Sequence, residues 1–257
     1  MQMFVFCYSE GVTWNMMINS DILQSNADLI GVKLTDQQIR CFIRYYEMLV
    51  EKNKVMNLTT ITEWEDVVIR HFTDSLSLVK CLDPSSVRTV LDLGTGAGFP
   101  GIPLKIAFPH LEVTLVDSLG KRVRFLEEVI DACGLEHIHA VHSRAEDLAR
   151  DAKYREKYDL CVSRAVAALS TLCEYCLPFV RTGGSFVAYK SGKVREELKE
   201  AGKAITILGG SRPDAQEMTE FLLPGTDMER ILIRIRKEKP TPKKYPRKAG
   251  TPSKEPL

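Results

Sequence analysis

A glycine-rich stretch near residue 95 constrains the fold more than any other part of the chain. An apolar run at residues 90–93 leads into it, and a helix-like segment at residues 103–108 follows it. The glycines of the turn are Gly94, Gly96, Gly98 and Gly101. Glycine tolerates positive φ and lets a ligand approach the backbone, and the next helix offers unpaired N–H groups at its first turn. The stretch therefore predicts a nucleotide-binding turn between a buried strand and a helix of an α/β sheet.

An acidic residue before the turn separates two classes of nucleotide cofactor. Counted from Gly96, the glycines match the dinucleotide fingerprint, whereas counted from Gly94 they alternate and come two residues after Asp92. A carboxylate there would repel a pyrophosphate but would favour the ammonium and sulfonium groups of S-adenosylmethionine. Asp117, nineteen residues after Gly98, can accept both ribose hydroxyls of either cofactor. We interpret the site as one for S-adenosylmethionine; a dinucleotide, or a glycine loop without a ligand, remains an alternative.

Length and composition are those of a soluble globular protein. The 257 residues allow one large domain, or one domain with an added subdomain, and 44% are hydrophobic while 27% are charged. No apolar run reaches the roughly 18 residues of a membrane span, and the first residues lack the features of a signal peptide. Seven scattered cysteines, an odd number, indicate a reducing compartment. We therefore predict a cytoplasmic protein without a membrane span.

The net charge of +1 hides a strongly basic C-terminus. Residues 234–257 hold nine Lys or Arg and two Glu, a net charge of +7, so the rest of the chain carries −6. A cationic tail on a mildly acidic body indicates a polyanionic partner, and a solvated terminus without a partner is the alternative. Five prolines among the last eighteen residues favour an extended arm over a helix.

Helical periodicity dominates the chain before the glycine-rich stretch. Thr35 and Gln38 form a capping-box pattern, and apolar residues recur at helical spacing over residues 39–50. A second helix is predicted over residues 62–79, with acidic residues in its first turn. His71 lies on the apolar face of this helix, which favours a structural role for it.

The chain divides into four parts on this basis. They are an N-terminal extension at residues 1–17, in which Met16 and Met17 are candidate natural starts, a helical subdomain at 18–84, an α/β domain at 85–237 and a basic, proline-rich arm at 238–257.

Strands and helices alternate in the α/β domain, which predicts a sheet covered by helices on both faces. The predicted strands are residues 90–93, 111–116, 138–141, 158–163, 184–190, 216–222 and 230–235. A Pro-Gly-Thr-Asp turn between the last two favours an antiparallel hairpin. The predicted fold is thus a mostly parallel, seven-stranded α/β sheet with an antiparallel last strand. This closure favours a Rossmann-like class I S-adenosylmethionine-dependent methyltransferase over a dinucleotide enzyme.

Ligands of such sheets bind beyond the carboxyl ends of the parallel strands, so residues at those ends form the candidate site. The candidate cofactor-binding residues are Asp92, Gly94, Gly96, Gly98, Phe99, Asp117, Ala145, Glu146 and Arg164. Phe99 would form an apolar wall of the adenine pocket, and Glu146 would accept a hydrogen bond from the adenine amine. Arg164 and Lys190 would hold a phosphate backbone, and ion pairs with Asp92 or Glu146 are the alternative.

The motifs that the sequence lacks narrow the range of methyl-transfer reactions that the chain can catalyse. Methyltransferases of exocyclic amines commonly carry an Asn/Asp-Pro-Pro-aromatic turn after the fourth strand, where this chain reads Ser-Arg-Ala-Val at residues 163–166. Methylation of a ring carbon needs an exposed cysteine nucleophile, whereas Cys161 lies within a predicted strand. Cys173 and Cys176 lack a second pair of ligands, so no metal site is predicted. Guanine N7 remains as a target, because its lone pair can attack a methyl group without a general base.

Together these segments resemble the RsmG (GidB) family of bacterial 16S ribosomal RNA guanine-N7 methyltransferases. The matching segments of the α/β domain are residues 92–104, 116–126, 144–146 and 163–165. Those outside it are residues 57–59, 70–76 and 245–257. The resemblance covers residues 18–257.

The resemblance implies a cytosolic enzyme that transfers a methyl group from S-adenosylmethionine to one guanine N7 of 16S ribosomal RNA, within a small-subunit particle. It also implies that the arm reaches back toward the active site, so we assign Arg164, Lys190 and Arg247 as the catalytic residues that hold the target nucleotide. We expect a monomer that binds no metal. Removing the arm after Lys239 is expected to lower RNA affinity and to spare cofactor binding. A nicotinamide-dependent oxidoreductase and a non-catalytic RNA-binding protein are the competing hypotheses.

Overall fold

The structure is a computed structural model that describes residues 20–164, 167–192 and 194–257. The predicted extension at residues 1–17 lies outside the described residues. The strands are β1 (Thr89–Leu93), β2 (Glu112–Asp117), β3 (Ile138–His142), β4 (Tyr158–Ser163), β5 (Val180–Lys190), β6 (Met218–Leu222) and β7 (Glu229–Arg236). They form one sheet in the order β3-β2-β1-β4-β5-β7-β6.

The sheet is mostly parallel and ends in an antiparallel hairpin, which confirms the predicted fold class. β1 pairs in parallel with β2 and β4, β2 pairs with β3, and β4 pairs with β5. β7 pairs antiparallel with both β5 and β6, and Lys190 at the end of β5 lies opposite Ile231 near the start of β7. The start of β7 therefore shares one edge of the sheet with the carboxyl ends of the parallel strands.

Side chains alternate across the sheet and divide the apolar core in two. In β1, Val90 packs on one face, whereas Leu91 and Leu93 pack on the other. The helices are α1 (Ser20–Leu29), α2 (Asp36–Met56), α3 (Trp64–Val67), α4 (Asp74–Leu76), α5 (Gly101–Ala107), α6 (Gly120–Ala132), α7 (Ala145–Leu148), α8 (Leu169–Cys176), α9 (Val194–Ile207) and α10 (Thr251–Lys254). Short 3₁₀ segments lie at Ser77–Lys80, Pro84–Ser86, Leu177–Phe179 and Ala215–Glu217. Burial on both faces explains why the central strands are almost wholly apolar.

The second predicted helix, over residues 62–79, is interrupted in the structure. It divides into α3, a π-helical segment (Val68–Thr73), α4 and a 3₁₀ turn. The Ser75 hydroxyl donates to His71 O at 2.5 Å. A side-chain donor of this kind competes with backbone N–H groups for helix carbonyls, so it favours the widened turn. π-helical turns are frequent at functional sites, and residues 70, 71 and 74 line a cleft described below.

The helical subdomain packs directly on the α/β domain. Thr35 caps α2 together with Gln38, as the capping box predicts, and Gln38 Nε2 also donates to two carbonyls at the end of α5 at 2.8 and 3.0 Å. Tyr45 is fully buried, and its hydroxyl donates to Ala97 O in the glycine turn at 2.5 Å. Residues of both parts form one hydrophobic core, so the glycine turn rests on α2.

The basic arm is packed on the rest of the molecule. Thr241, Tyr245 and Pro252 are buried. Arg155 donates to the carbonyls of Tyr245 and Thr241 at 3.0 and 2.8 Å. The sequence predicts an extended arm, and α10 is a short exception that begins after Gly250. Proline is compatible with the first turn of a helix, because its missing N–H would have no partner there.

No helix within the described ranges is long and apolar enough to cross a bilayer. Among the same residues, no group of three or more His, Cys, Asp or Glu side chains could hold a metal ion. Cys173 and Cys176 are free thiols buried in α8.

Tyr45→Phe tests the contact between α2 and the glycine turn. The variant leaves the buried carbonyl of Ala97 without this donor, so we expect the free energy of unfolding to fall by about 1 to 3 kcal/mol. Urea unfolding followed by circular dichroism measures the change. Tyr46→Phe is the control, because the Tyr46 hydroxyl donates to Thr62 O, which water can reach. A loss smaller at Tyr45 than at Tyr46 would contradict the prediction.

Candidate active site

Two clefts of opposite charge meet at the carboxyl edge of the sheet. The first, of about 420 Å³, is lined by the acidic residues Asp117 and Glu146 and by Arg144, and we call it the acidic cleft. The second, of about 700 Å³, we call the basic cleft. Its cationic lining residues are Arg70, Arg164, Lys190 and Arg230. Ala167 lines both clefts, so the two clefts are adjacent.

Backbone N–H groups hold the glycine turn against the end of β2. Gly94 N and Thr95 N donate to Val116 O at 2.9 and 3.2 Å. Gly96 N donates to Asp117 Oδ2 at 3.0 Å. Gly94 and Gly96 have φ of 71° and 64°, a conformation that side chains with a Cβ rarely adopt.

Gly98 and Gly101 lie on the buried side of the turn. A Cβ at Gly98 would lie 2.7 Å from the Tyr45 hydroxyl, and one at Gly101 would lie 2.8 Å from Asp92 Oδ2. Close packing therefore requires glycine at both positions. Of the predicted cofactor-binding glycines, Gly94 is the one found among the described lining residues of the acidic cleft.

Asp117 lies at the end of β2, lines the acidic cleft and is 4% exposed. Oδ1 accepts from Leu119 N at 2.9 Å, and Oδ2 accepts from Gly96 N at 3.0 Å and Arg122 Nη1 at 3.3 Å. These bonds fix the carboxylate. Because a carboxylate has about four lone-pair sites, it can still accept a hydroxyl from the cleft.

Ala145 and Glu146 begin α7 and also line the acidic cleft. Glu146 Oε1 accepts from Gly250 N of the arm at 2.9 Å. Tyr175 lines the same cleft, and burial raises its pKa with a further contribution from the Glu146 charge. Glu146 is thus held by the arm, in a position where a further donor can approach.

Phe99 does not form the apolar wall that the sequence predicts. Its ring is 5% exposed and stacks on His71, with centroids 4.4 Å apart and planes at 18°. Tyr45 and Phe72 contact the same ring at centroid distances of 5.5 and 6.2 Å. The aromatic cluster of the helical subdomain therefore buries Phe99 on the far side of the turn. Apolar walls of the acidic cleft are formed instead by Leu93, Leu119, Leu172 and the ring of Tyr175.

Asp92 lies beneath the glycine turn and is fully buried. Its Oδ2 accepts from Thr95 Oγ1 at 2.6 Å and from Gly101 N at 2.8 Å, whereas its Oδ1 has no hydrogen-bond partner. Burial raises the pKa of Asp92 to about 6, although both hydrogen bonds lower it. The carboxylate joins two parts of the turn, and its predicted contact with a cationic cofactor stays a prediction.

Arg164 follows β4 and contacts the helical subdomain. Nη1 donates to Asp74 Oδ2 at 2.9 Å and to Arg70 O at 3.2 Å, and Nη2 lies 3.2 Å from His71 Nδ1. The guanidinium also lies over the Phe99 ring, 5.0 Å from its centroid. These contacts fix the side chain in the basic cleft.

This position differs from two of the interpretations of Arg164, the cofactor contact and the ion pair with Asp92 or Glu146, whereas the contact with the target nucleotide stays a prediction. Arg164 is not among the described residues that line the acidic cleft, so its assignment to the cofactor is not supported by position. The alternative ion pair with Asp92 or Glu146 is also wrong, because the partner is Asp74. Asp74 comes from α4, and no pattern near Arg164 indicates it.

Lys190 is the last residue of β5, as predicted. It lines the basic cleft and forms an ion pair of its own. Its Nζ donates to Ala167 O at 2.6 Å and lies 2.6 Å from Glu197 Oε2. Arg230, which the sequence analysis did not select, lies near the start of β7, with Nε 3.0 Å from Asp74 Oδ1. The predicted hairpin could have indicated Arg230, since an antiparallel last strand begins at the edge where the parallel strands end.

Asp74 orients two of the four cations of the basic cleft. Its side chain is 4% exposed, and each of its oxygens faces one guanidinium, that of Arg164 or that of Arg230. Asp74 and Glu197 are the acidic residues among the described lining residues, so the cleft keeps a positive excess.

His71 is neutral at physiological pH. Burial, with the charge of Arg164, lowers its pKa to about 3. Its Nδ1 faces the Arg164 donor, and its Nε2 lies 2.9 Å from Thr59 Oγ1. Nδ1 must therefore accept and Nε2–H donate. These contacts agree with a satisfied structural histidine, but the sequence did not indicate that it holds Arg164.

Arg247 lies apart from the other two predicted catalytic residues. Its Nη2 and Nε lie 2.6 and 3.0 Å from Oε2 and Oε1 of Glu174, whose side chain is 1% exposed. It is not among the described lining residues of the basic cleft. The structure thus brings Arg164 and Lys190 together and places Arg247 against α8.

The structure has a class I methyltransferase fold. This fold is defined by the sheet order, the antiparallel β7, the glycine turn after β1 and Asp117 at the end of β2. A solved structure described as a predicted O-methyltransferase from Agrobacterium tumefaciens superposes with a TM-score of 0.50, at 16% identity, over 65% of this chain and 86% of that chain.

The chain belongs to the GidB family, described as rRNA small subunit methyltransferase G, which it matches over residues 38–221. Ribosomal RNA small subunit methyltransferase G of Lachnoclostridium phytofermentans is 54% identical over 242 residues, which cover 94% of this chain and 98% of that protein. The protein of the same name from Bacillus velezensis is 50% identical over 227 residues, 88% of this chain and 94% of that protein. The family resemblance found in the motifs is thereby confirmed.

Asp92→Asn tests the buried carboxylate through its pH dependence. A folded-state pKa near 6, above the ordinary 3.8, means that ionisation opposes folding. The free energy of unfolding of the wild type should therefore fall as pH rises from about 4 to 6, by up to about 3 kcal/mol relative to the variant, which does not titrate there.

Urea unfolding at a series of pH values measures this difference. Asp83→Asn is the control, because the pKa of exposed Asp83 is lowered by its Ser85 contacts and it should not titrate in this window. Parallel curves for the wild type and Asp92→Asn would contradict the prediction.

Proposed function

We propose that this chain transfers the methyl group of S-adenosylmethionine to N7 of one guanine in 16S ribosomal RNA. Family membership supports methyl transfer to ribosomal RNA. The observation that carries the finer proposal is the meeting of the acidic and basic clefts at Ala167. One cleft suits a cationic cofactor without phosphate, and the other suits a polyanionic substrate.

The acidic cleft fits S-adenosylmethionine better than a dinucleotide. Asp117 and Glu146 would repel a pyrophosphate, and they outnumber Arg144, the one cationic residue among the described lining residues. Asp117 is suited to accept a hydrogen bond from one ribose hydroxyl, and Glu146 is suited to accept one from the adenine amine. The bound cofactor would supply an electrophilic methyl group.

The basic cleft is suited to a nucleotide and its phosphates. Asp74 fixes Arg164 and Arg230, and Glu197 fixes Lys190, so these cations are oriented before RNA binds. Oriented side chains lose less entropy on binding, and arginine can contact phosphate through two donors.

The state of the titratable groups in the basic cleft favours N7 over an exocyclic amine. His71 is neutral, but its Nδ1 already accepts from Arg164, and both described carboxylates of the cleft are ion-paired. An amine needs a proton acceptor, whereas the N7 lone pair does not. The new N–C bond forms as the S–C bond breaks, the bonding pair stays on sulfur, and the guanine gains the positive charge.

We also propose that the enzyme acts in the cytoplasm as a monomer, on a small-subunit ribosomal particle. The described cysteines are free thiols, which agrees with a reducing compartment. Exposed lysines of the arm offer further contacts to RNA; they are Lys239, Lys243, Lys244, Lys248 and Lys254.

Methylation of small subunits from cells that lack this gene tests the proposed function. Purified chain and S-adenosylmethionine should create one N7-methylguanosine in 16S RNA, detected as a new cut after borohydride and aniline treatment. Calorimetry without RNA should show S-adenosylmethionine binding at roughly −6 to −8 kcal/mol.

Each alternative has its own result in these assays. Methyl incorporation without the aniline cut would contradict the N7 target. Preference for NAD over S-adenosylmethionine would support an oxidoreductase, and RNA binding without transfer would support a non-catalytic protein.

Arg230→Ala tests the basic cleft at a residue that the sequence did not indicate. Loss of a phosphate contact should weaken RNA binding about tenfold and reduce the log-log salt slope by roughly 0.7 to 0.9. Filter binding at several salt concentrations measures both, and cofactor affinity should not change. Arg236→Ala is the control, because Arg236 lies on the same strand, is exposed and pairs with Glu217. A salt slope of Arg230→Ala equal to that of the wild type would contradict the contact.

A further inference from the structure

The C-terminal arm forms part of the acidic cleft. Gly250 lines this cleft, and its N–H donates to Glu146 Oε1 at 2.9 Å. Tyr175 of α8 lines the same cleft. Glu146 is 6% exposed and accepts its hydrogen bond from the arm. From the sequence, the arm was expected to contribute to RNA binding and not to cofactor binding.

Two contacts fasten the arm to α8 on either side of Gly250. Before it, the Arg247 side chain pairs with buried Glu174, and Arg247 N donates to Oε1 of the same carboxylate at 2.7 Å. After it, Thr171 Oγ1 donates to Pro252 O at 3.1 Å. Because both anchors lie within three residues of Gly250, they fix its N–H at the cleft.

The contacts of Arg247 disfavour a direct role in RNA binding. If its guanidinium turned toward RNA, Glu174 would remain buried and charged without its partner, which is strongly unfavourable. The hydrogen bond and charge of Glu174 raise the pKa of Arg247, which agrees with a stable pair. The exposed arm lysines can bind phosphate without such a loss.

We propose that the arm is a wall of the cofactor site, and that Arg247 is a positioning residue that keeps Gly250 against Glu146. This inference rests on the proposed function, since it takes the acidic cleft as the site of S-adenosylmethionine. With the arm in place, Glu146 is oriented to accept the adenine amine. When the arm detaches, the carboxylate becomes solvated and rotates, so cofactor affinity falls even without RNA.

Calorimetric titration of the full chain with S-adenosylmethionine, without RNA, tests the proposal. Arg247→Ala should raise the dissociation constant about tenfold. Glu174→Gln keeps the shape of the anchor but removes its charge, so it should raise the constant about threefold or more. Lys248→Ala is the matched control, because it removes the next cation of the arm, which is exposed, and should stay within about twofold of the wild type.

Further measurements separate positioning from general stability. Arg247→Lys keeps the charge but not the two-donor geometry toward Glu174, so it should recover part of the affinity that Arg247→Ala loses. In steady-state assays, Arg247→Ala should raise KM for the cofactor more than KM for RNA, whereas loss of an RNA contact would do the reverse. Urea unfolding shows that each variant is folded under the assay conditions.

Two results have distinct meanings for the two proposals. Cofactor dissociation constants of Arg247→Ala and Glu174→Gln within about twofold of the wild type would overturn the arm proposal and leave the proposed function intact. If Arg247→Ala does not fold, Glu174→Gln decides alone. Failure of the wild-type chain to bind S-adenosylmethionine would instead contradict the proposed function.

Discussion

A buried carboxylate organises the glycine turn on which both clefts depend. Asp92 Oδ2 accepts from Thr95 at one end of the turn and from Gly101 at the start of α5. From the other side, the Tyr45 hydroxyl holds Ala97 O. These contacts fix the turn, while the burial of Asp92 raises its pKa to about 6 even though its two hydrogen bonds lower it. The fold therefore accommodates an unfavourable buried charge on Asp92, and the hydrogen bonds of this carboxylate fix the backbone of the turn. Strained functional loops often combine these two features.

Separation of charge between the two clefts depends on pairs made with the helical subdomain. Asp74 pairs with Arg164, and neutral His71 adds an acceptor for the same guanidinium, so both hold Arg164 in the basic cleft. A protonated His71 would instead repel it, so the depressed pKa of His71 is part of the arrangement. The interrupted helix that carries both residues therefore affects the chemistry at the sheet edge.

Local patterns in the sequence predicted the sheet, but they did not predict the contacts between segments that are distant in the sequence. Strand alternation and the turn at residues 224–227 gave the seven strands and the reversed end, because both patterns concern neighbouring residues. The pair between Arg164 and Asp74 joins residues 90 positions apart, and nothing near either one indicates it. Phe99 was misplaced for the same reason, since distant aromatic residues decide on which side of the turn its ring is buried. Asp117 and Glu146 both line the acidic cleft, near the strand ends from which they were selected, and their contacts with a cofactor stay predictions.

The net charge of the basic C-terminus overestimates the number of its cations that are available to bind RNA. All three arginines of residues 234–257 are used within the protein: Arg234 donates to Ser185 Oγ, Arg236 pairs with Glu217, and Arg247 pairs with Glu174. Lys237 is buried, and burial lowers its pKa to about 8. Arg236 is exposed but paired, and the other exposed cations of this stretch are lysines. This difference agrees with their chemistry, since the planar guanidinium contacts a carboxylate through several donors, whereas the strongly hydrated ammonium mostly remains in water, with buried Lys237 as the exception. A basic tail can thus be an anchor through its arginines and a polyanion-binding surface through its lysines, and composition alone does not distinguish the two.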